Sequence, residues 1–188
     1  MYWLDAVGEV SLAGDELILT AGMCTDWFID PATLERTANA PVLVDDIAGD
    51  FQLSARVEVD FAAMFDAGVL FVHHDADVYA KLCFELAPAG ERTVVSVVTR
   101  SVSDDANGPA IQANDVWLRV SRIGDALAFH WSVDGALWHL LRYFRLMPGV
   151  QGLSVGFCAQ SPTGQGCTAR FSQIECTATT LGNVRDGG

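Results

Sequence analysis

The stretch Phe65–Asp105, FDAGVLFVHHDADVYAKLCFELAPAGERTVVSVVTRSVSDD, decides the fold. It holds three runs rich in β-branched and aromatic residues: Val69–His74, Val78–Leu86 and Val94–Arg100. Asp75-Ala76-Asp77 separates the first two and Pro88-Ala89-Gly90 the second two. Short runs of this kind, punctuated by Asp, Pro and Gly, predict three successive antiparallel strands.

Successive strand side chains point to opposite faces. Val78–Leu86 therefore divides into Ala80, Leu82, Phe84 and Leu86 on one side and Tyr79, Lys81, Cys83 and Glu85 on the other. A register that sets Glu85 against Val94 joins the apolar sets of the second and third strands on one side. It puts Lys81 opposite Val98 and Tyr79 opposite Arg100. The first strand, registered through its own turn, brings His73 opposite Tyr79. The expected result is a polar row, His73–Tyr79–Arg100, with Lys81 beside it and Glu85 about 13 Å along the strand from Lys81. Cross-strand neighbours lie about 4.5–5.5 Å apart, close enough to converge on one ligand. Tyr79 could stack on a sugar ring while Arg100, Lys81 and Glu85 bond its hydroxyls.

Working outward, the same alternation recurs. Glu9–Ala13 and Glu16–Ala21 read as a hairpin about Gly14-Asp15. Pro41–Asp46 is a short strand, and Phe51–Phe61 alternates apolar and polar throughout. Val116–Ile123 and Ala126–Ser132 form a hairpin about Gly124-Asp125, and Asp134-Gly135 marks another. Leu153–Gln160 and Thr168–Thr177 are the last strands. Between these lie two expected irregular segments, CTDWFIDPATLERT from Cys24 and the loop Asp104–Asn114 with its Asn107-Gly108-Pro109 breaker. Strands every ten residues or so, without a long amphipathic helix, predict an all-β sandwich. We expect one domain over residues 1–180 and a flexible tail over 181–188.

Composition narrows the function. The formal charge of -13 argues against nucleic acid and against anionic membranes as partners. The five cysteines, Cys24, Cys83, Cys158, Cys167 and Cys176, are odd in number and lack CxxC spacing, so reduced thiols are expected. No apolar run reaches the length of a membrane span, and MYWLDAVGEV lacks the basic and apolar regions of a signal peptide, so the expected location is cytoplasmic. No metal site is expected, because His73 and His74 point to opposite faces and Asp75 and Asp77 read as turn residues. No cofactor fingerprint is present.

Several segments resemble the DUF1349 family: CTDWF at Cys24–Phe28, FDAGVLFVHHDADVYAKLCFE at Phe65–Glu85, VVSVVTRSVSDD at Val94–Asp105, LRVSRIGDALAFHWSVDGALWHLLR at Leu118–Arg142 and GFCAQSPTGQGCTARF at Gly156–Phe171. The resemblance implies a concanavalin A-like (lectin/glucanase) jelly roll of two curved antiparallel sheets with a concave face. Asp26, Trp27, Lys81, Glu85, Ser103 and Asp104 fall on positions like the family's motif. Tyr79 and Asp105 stand where the family tends to carry Trp.

The expected site is thus a concave face carrying Tyr79, Lys81, Glu85 and Arg100, with Trp27, His73 and Asp104 at its rim. The expected function is non-catalytic binding of a saccharide or other small ligand. The alternatives are a glycoside hydrolase or lyase, and a regulatory module that binds a protein partner. Paired catalytic carboxylates in an ExDxxE-like pattern, which a hydrolase of this fold would carry, do not occur in the sequence.

Overall fold

The computed structural model describes residues 1–4, 8–150 and 152–188. Two seven-stranded antiparallel sheets face each other. In spatial order the first runs β1 (Tyr2–Trp3), β6 (Val42–Ala48), β15 (Gly152–Gln160), β8 (Ala67–Asp75), β9 (Val78–Leu86), β10 (Arg92–Arg100) and β11 (Ser103–Ala110). The second runs β14 (His139–Arg145), β13 (Ala126–Ser132), β12 (Asp115–Ile123), β7 (Phe51–Val59), β16 (Gly166–Thr177), β3 (Glu16–Gly22) and β2 (Glu9–Ala13). A small hairpin, β4 (Trp27–Ile29) with β5 (Arg36–Ala38), stands apart. The fold is the expected concanavalin A-like β-sandwich.

Alternation explains the second sheet. In β7 the residues Phe51, Leu53, Ala55, Val57 and Val59 are buried, while Gln52, Ser54, Arg56 and Glu58 between them are half-buried. They meet Leu70, Val72, Ala80, Leu82, Phe84, Val94 and Val98 of the first sheet in the main core. The first sheet differs, because its central strands are buried on both faces. A second apolar cluster on its outer side joins Val69, Phe71, Tyr79, Cys83, Val95, Val97 and Cys158 to Trp27 of β4.

That double burial accounts for the one register error. The β8–β9 pairing is as expected, with His73 opposite Tyr79. The β9–β10 pairing is shifted by one residue. Val94 faces Phe84, Val97 faces Lys81, Thr99 faces Tyr79 and Arg100 faces Val78. The connection closes through Ala87, whose N–H donates to Glu91 O at 2.8 Å. A shift of one residue exchanges the faces of a strand. In β10, Val94 and Val98 face the sandwich while Val95 and Val97 face the outer cluster. With valine on both sides, alternation holds no information about which set points inward.

Two segments expected to be irregular contain strands. Ser103–Ala110 is edge strand β11 rather than a loop. Pro109 is tolerated there because an edge strand can spare an N–H. Gly108 is required, since a Cβ at that position would lie 2.4 Å from Leu141 Cδ1 and 2.8 Å from Val94 O. The segment after Cys24 contains the β4–β5 hairpin, whose Asp30 carboxylate accepts the N–H groups of Ala32 and Thr33, both at 2.8 Å. Asp134-Gly135 marks a longer connection than a two-residue turn, running from Ser132 to His139. Residues 181–188, expected as a tail, lie along the outer face of the second sheet. Among the described residues no helix is long and apolar enough to cross a membrane.

Candidate functional site

The outer face of β9 presents Tyr79, Lys81 and Glu85 in order along one strand. Its neighbours extend each position into a row across the sheet. Tyr79 lies between His73 and Thr99, Lys81 between Phe71 and Val97, and Glu85 between Ala67 and Thr93. Edge strand β11 adds Asp105 beside Val97 and Asn107 beside Val95.

The hairpin β4–β5 closes one end of this face. Trp27 is fully buried, and its indole N–H donates to Ala40 O at 3.0 Å. Its ring meets Phe71, His73 and Tyr79 edge-to-face at centroid distances of 5.3, 5.9 and 5.4 Å. Tyr79 stacks on Phe71 at 5.6 Å and is 1% exposed. A sugar cannot stack on Tyr79, because Trp27 and Phe71 already hold its ring. Ser103 ties the hairpin down by accepting the Ile29 N–H at 2.9 Å while bonding the Thr99 hydroxyl at 2.8 Å.

The other end remains open as a cleft of about 510 Å³. Its polar groups are Asp26, Asp30, Lys81, Glu85, Asp105, Asn107, Gln160 and Thr163, and Phe28, Phe65 and Pro88 are among its apolar walls. That volume suits a small molecule. Local backbone bonds set the walls. Asp66, fully buried, accepts the N–H groups of Ala62 and Ala63 and the hydroxyl of Ser161 (2.9, 2.8 and 2.6 Å). Phe65 then adopts φ 70°, a left-handed conformation uncommon for a bulky residue, with its N–H on Leu86 O at 2.8 Å.

Lys81 lies at the back of the cleft and is 2% exposed. Its ammonium donates to Asp26 Oδ1 at 2.8 Å and Gln160 Oε1 at 2.9 Å, and it sits 5.9 Å from the Phe28 ring centroid. Burial opposes the charge, but Asp26 and Glu85 outweigh it and hold the Lys81 pKa above that of an ordinary lysine. Asp26 Oδ1 also accepts the Trp27 N–H at 2.7 Å, so this carboxylate links the hairpin to the sheet. For Glu85, burial pushes the carboxyl up to about 7 against the pull of Lys81, and Asp26 and Asp105 add to the rise. The cleft therefore holds a fixed ion pair and one carboxyl that exchanges its proton near neutrality.

Among the expected site residues, Lys81 and Glu85 share the cleft. Trp27 and Tyr79 belong to the closure beside it, and His73 flanks Trp27. Arg100 lies on the other side of the sheet, where Nε and Nη2 donate to Leu146 O (2.9 Å) and Arg145 O (2.8 Å). Asp104 points away and pairs with Arg142 at 3.2 Å, leaving Asp105 to face the cleft. Phe28, Asp30, Phe65, Asn107 and Gln160 had no signal in the strand pattern, since they lie in segments expected to be irregular or at strand ends and come together only on folding. The Asp26 ion pair with Lys81 was foreshadowed only in that both residues fell on motif-like positions.

A two-sheet concanavalin A-like sandwich with a partly closed outer face is the class this geometry defines. The family model described as "Protein of unknown function (DUF1349)" matches residues 3–179, and the chain belongs to that family. Among proteins of curated function none matches the sequence. A functionally unknown protein from Saccharomyces cerevisiae superposes with TM-score 0.86 at 24% identity, over 95% of this chain and 96% of that one. A xylan beta-1,4-xylosidase from Bacillus halodurans gives TM-score 0.70 at 13% identity over 86% of this chain. This chain spans only 32% of that enzyme. An alginate lyase from Klebsiella pneumoniae gives 0.60 at 12% identity, over 94% and 85% of the two chains. At these identities the likeness is one of fold.

Proposed function

We propose that this protein binds a saccharide in the cleft over Lys81 and Glu85. The observation that carries the reading is the composition of that cleft. Ring hydroxyls are both donors and acceptors, and the cleft offers both partners: carboxylates at Asp30 and Asp105, amides at Asn107 and Gln160, and an ammonium at Lys81. Phe28 and Phe65 supply apolar surface for the C–H face of a sugar ring. Stacking thus moves from Tyr79, which is enclosed, to the walls. Calorimetric titration with a panel of mono- and oligosaccharides tests this. Binding by the wild type that is lost in Asp105→Ala and in Phe28→Ala supports it. No binding, or binding indifferent to both changes, refutes it.

A second reading is supported by Glu85 alone. A carboxyl that remains half-protonated near pH 7 is suited to general acid catalysis, which glycoside hydrolases and lyases require. Turnover of a chromogenic glycoside or a polysaccharide, abolished in Glu85→Gln, would establish it. Binding without turnover leaves the saccharide-binding reading in place.

A further inference from the structure

We propose that Arg119, Ser121 and His130, on the outer face of the second sheet, form a binding site for a small hydroxycarboxylate, and that residues 181–188 cover it. This site lies on the opposite sheet from the saccharide cleft and is independent of it. The observation behind it is a cluster of unmet hydrogen-bonding capacity. Among the described residues four buried side-chain polar atoms have no hydrogen-bond partner: Arg119 Nε, Ser121 Oγ, His130 Nδ1 and Tyr79 Oη. Three of the four share one patch. Arg119 and His130 are directly paired across β12 and β13, and Ser121 follows on the same face of β12, about 6.6 Å along the strand. Buried orphaned groups are rare, so three together call for a ligand.

The chemistry of the three atoms defines that ligand. Arg119 is 8% exposed, and its guanidinium carbon lies over the Trp138 ring, 4.2 Å from the ring centroid. Nε and Nη2 share one edge of the guanidinium, the edge that receives a carboxylate in two parallel bonds. Here Nη2 donates to a single carbonyl, Gly187 O, at 2.6 Å, and Nε–H has no acceptor. His130 is fully buried and bonds Val184 O at 2.9 Å through Nε2. A carbonyl only accepts, so under the cover Nε2 carries the proton and Nδ1 presents a lone pair, and a ligand hydroxyl donating to Nδ1 selects the same tautomer when the cover lifts. The patch therefore offers a donor edge on Arg119, an acceptor on His130 and a hydroxyl on Ser121. A carboxylate with a neighbouring hydroxyl matches all three: its oxygens take Nε–H and Nη2–H, its hydroxyl donates to Nδ1, and Ser121 bonds the remaining oxygen.

The cover is built to be displaced. Residues 181–188 are joined to the sheet through Arg119 and His130 side chains and the buried Leu181, while the backbone bonds of Asn183 run to Gly187 and Gly188 within the segment itself. A segment held by so few bonds opens at low cost. A depression of about 210 Å³, lined by Ser54, Trp117, Trp138 and Glu175 among others, opens beside it and reaches Arg119. Gly187 is the contact point. Its φ is +77°, in the left-handed region that favours glycine, and a Cβ there would lie 2.5 Å from Arg119 Nη2 and 2.7 Å from Trp138 Cβ.

Gly187→Val in the full chain therefore dislodges the cover at its contact with Arg119 and Trp138 while leaving every residue of the sheet unchanged. Calorimetry with lactate, and with acetate as the comparator lacking the hydroxyl, tests the site. The expected result is lactate binding to Gly187→Val about tenfold tighter than to wild type, because the closed cover withholds the binding-competent state. Acetate should bind about tenfold more weakly than lactate, since His130 Nδ1 then stays unpaired. Adding Arg119→Gln should remove binding. Equal affinity for the two acids, indifference to Arg119→Gln, or no lactate binding by the folded variant overturns the proposal. Should Gly187→Val fail to fold, the His130 ring nitrogen signals of the wild type are followed by NMR during lactate addition. A selective shift at His130 supports the site, and unchanged signals overturn it.

Discussion

Glu85→Gln tests the electrostatics of the cleft through stability. The Glu85 carboxyl ordinarily titrates at 4.5 and is pushed up to about 7 in the fold, first by burial and then by Asp26 and Asp105. Between these values the folded protein keeps a proton that the unfolded chain has released. Stability from that proton is full below about pH 4.5 and is lost as pH rises through about 7. Each pH unit in the window withdraws about 1.4 kcal/mol, so the whole interval costs about 3 kcal/mol. Glutamine has the same shape and no titration, so the variant lacks this loss. Thermal melts of both proteins from pH 4.5 to pH 8 read the difference. At about 2–4 °C per kcal/mol, the wild type should fall by about 6–12 °C relative to Glu85→Gln across that range. Other titrating groups act on both proteins and cancel in the comparison. Melting curves that run parallel over the whole range would refute the reasoning.

Three further outcomes follow from the same geometry. Asp26→Asn leaves the Lys81 charge buried without its counterion and should cost about 3–5 kcal/mol in urea denaturation, whereas adding Lys81→Met should recover much of that loss. Costs that simply add in the double variant would sink this account of the pair. Trp27→Ala empties the closure of the outer face and should cost about 3–5 kcal/mol, a figure that a loss below about 1 kcal/mol would contradict. All five cysteines are free, with Cys24 and Cys176 exposed and Cys83, Cys158 and Cys167 buried. A thiol reagent should label two sites quickly and three only on unfolding, and fast labelling of a third would show that the core opens readily.

The strands were largely legible in the sequence because their cause is local. Phe51–Val59 is half-buried, so its polar and apolar residues alternate and name both the strand and its inward face. Turn residues such as Gly124-Asp125 mark where one strand ends and the next begins. The pairing of β8 with β9 followed from the same local signals, and it set His73 against Tyr79 as expected. Strand β10 was legible as a strand but not in its facing, since valines line both sides. That single ambiguity carried Arg100 to the wrong face, whereas Asp104, expected from its motif-like position in a loop, gave way to Asp105 because Ser103–Ala110 forms a strand.

By itself, then, the sequence determined an all-β sandwich, most of its strands, and Lys81 and Glu85 on the same face of one strand. Those results rest on side-chain period and turn chemistry, which act over a few residues. Only the tertiary structure decided what that face does. Trp27 arrives from a hairpin some fifty residues away in sequence and seals Tyr79, while Asp26 neutralises Lys81 across the same distance. It likewise brought residues 181–188 over Arg119 and His130. Contacts between distant segments depend on the summed packing of the whole core, and no local pattern encodes them.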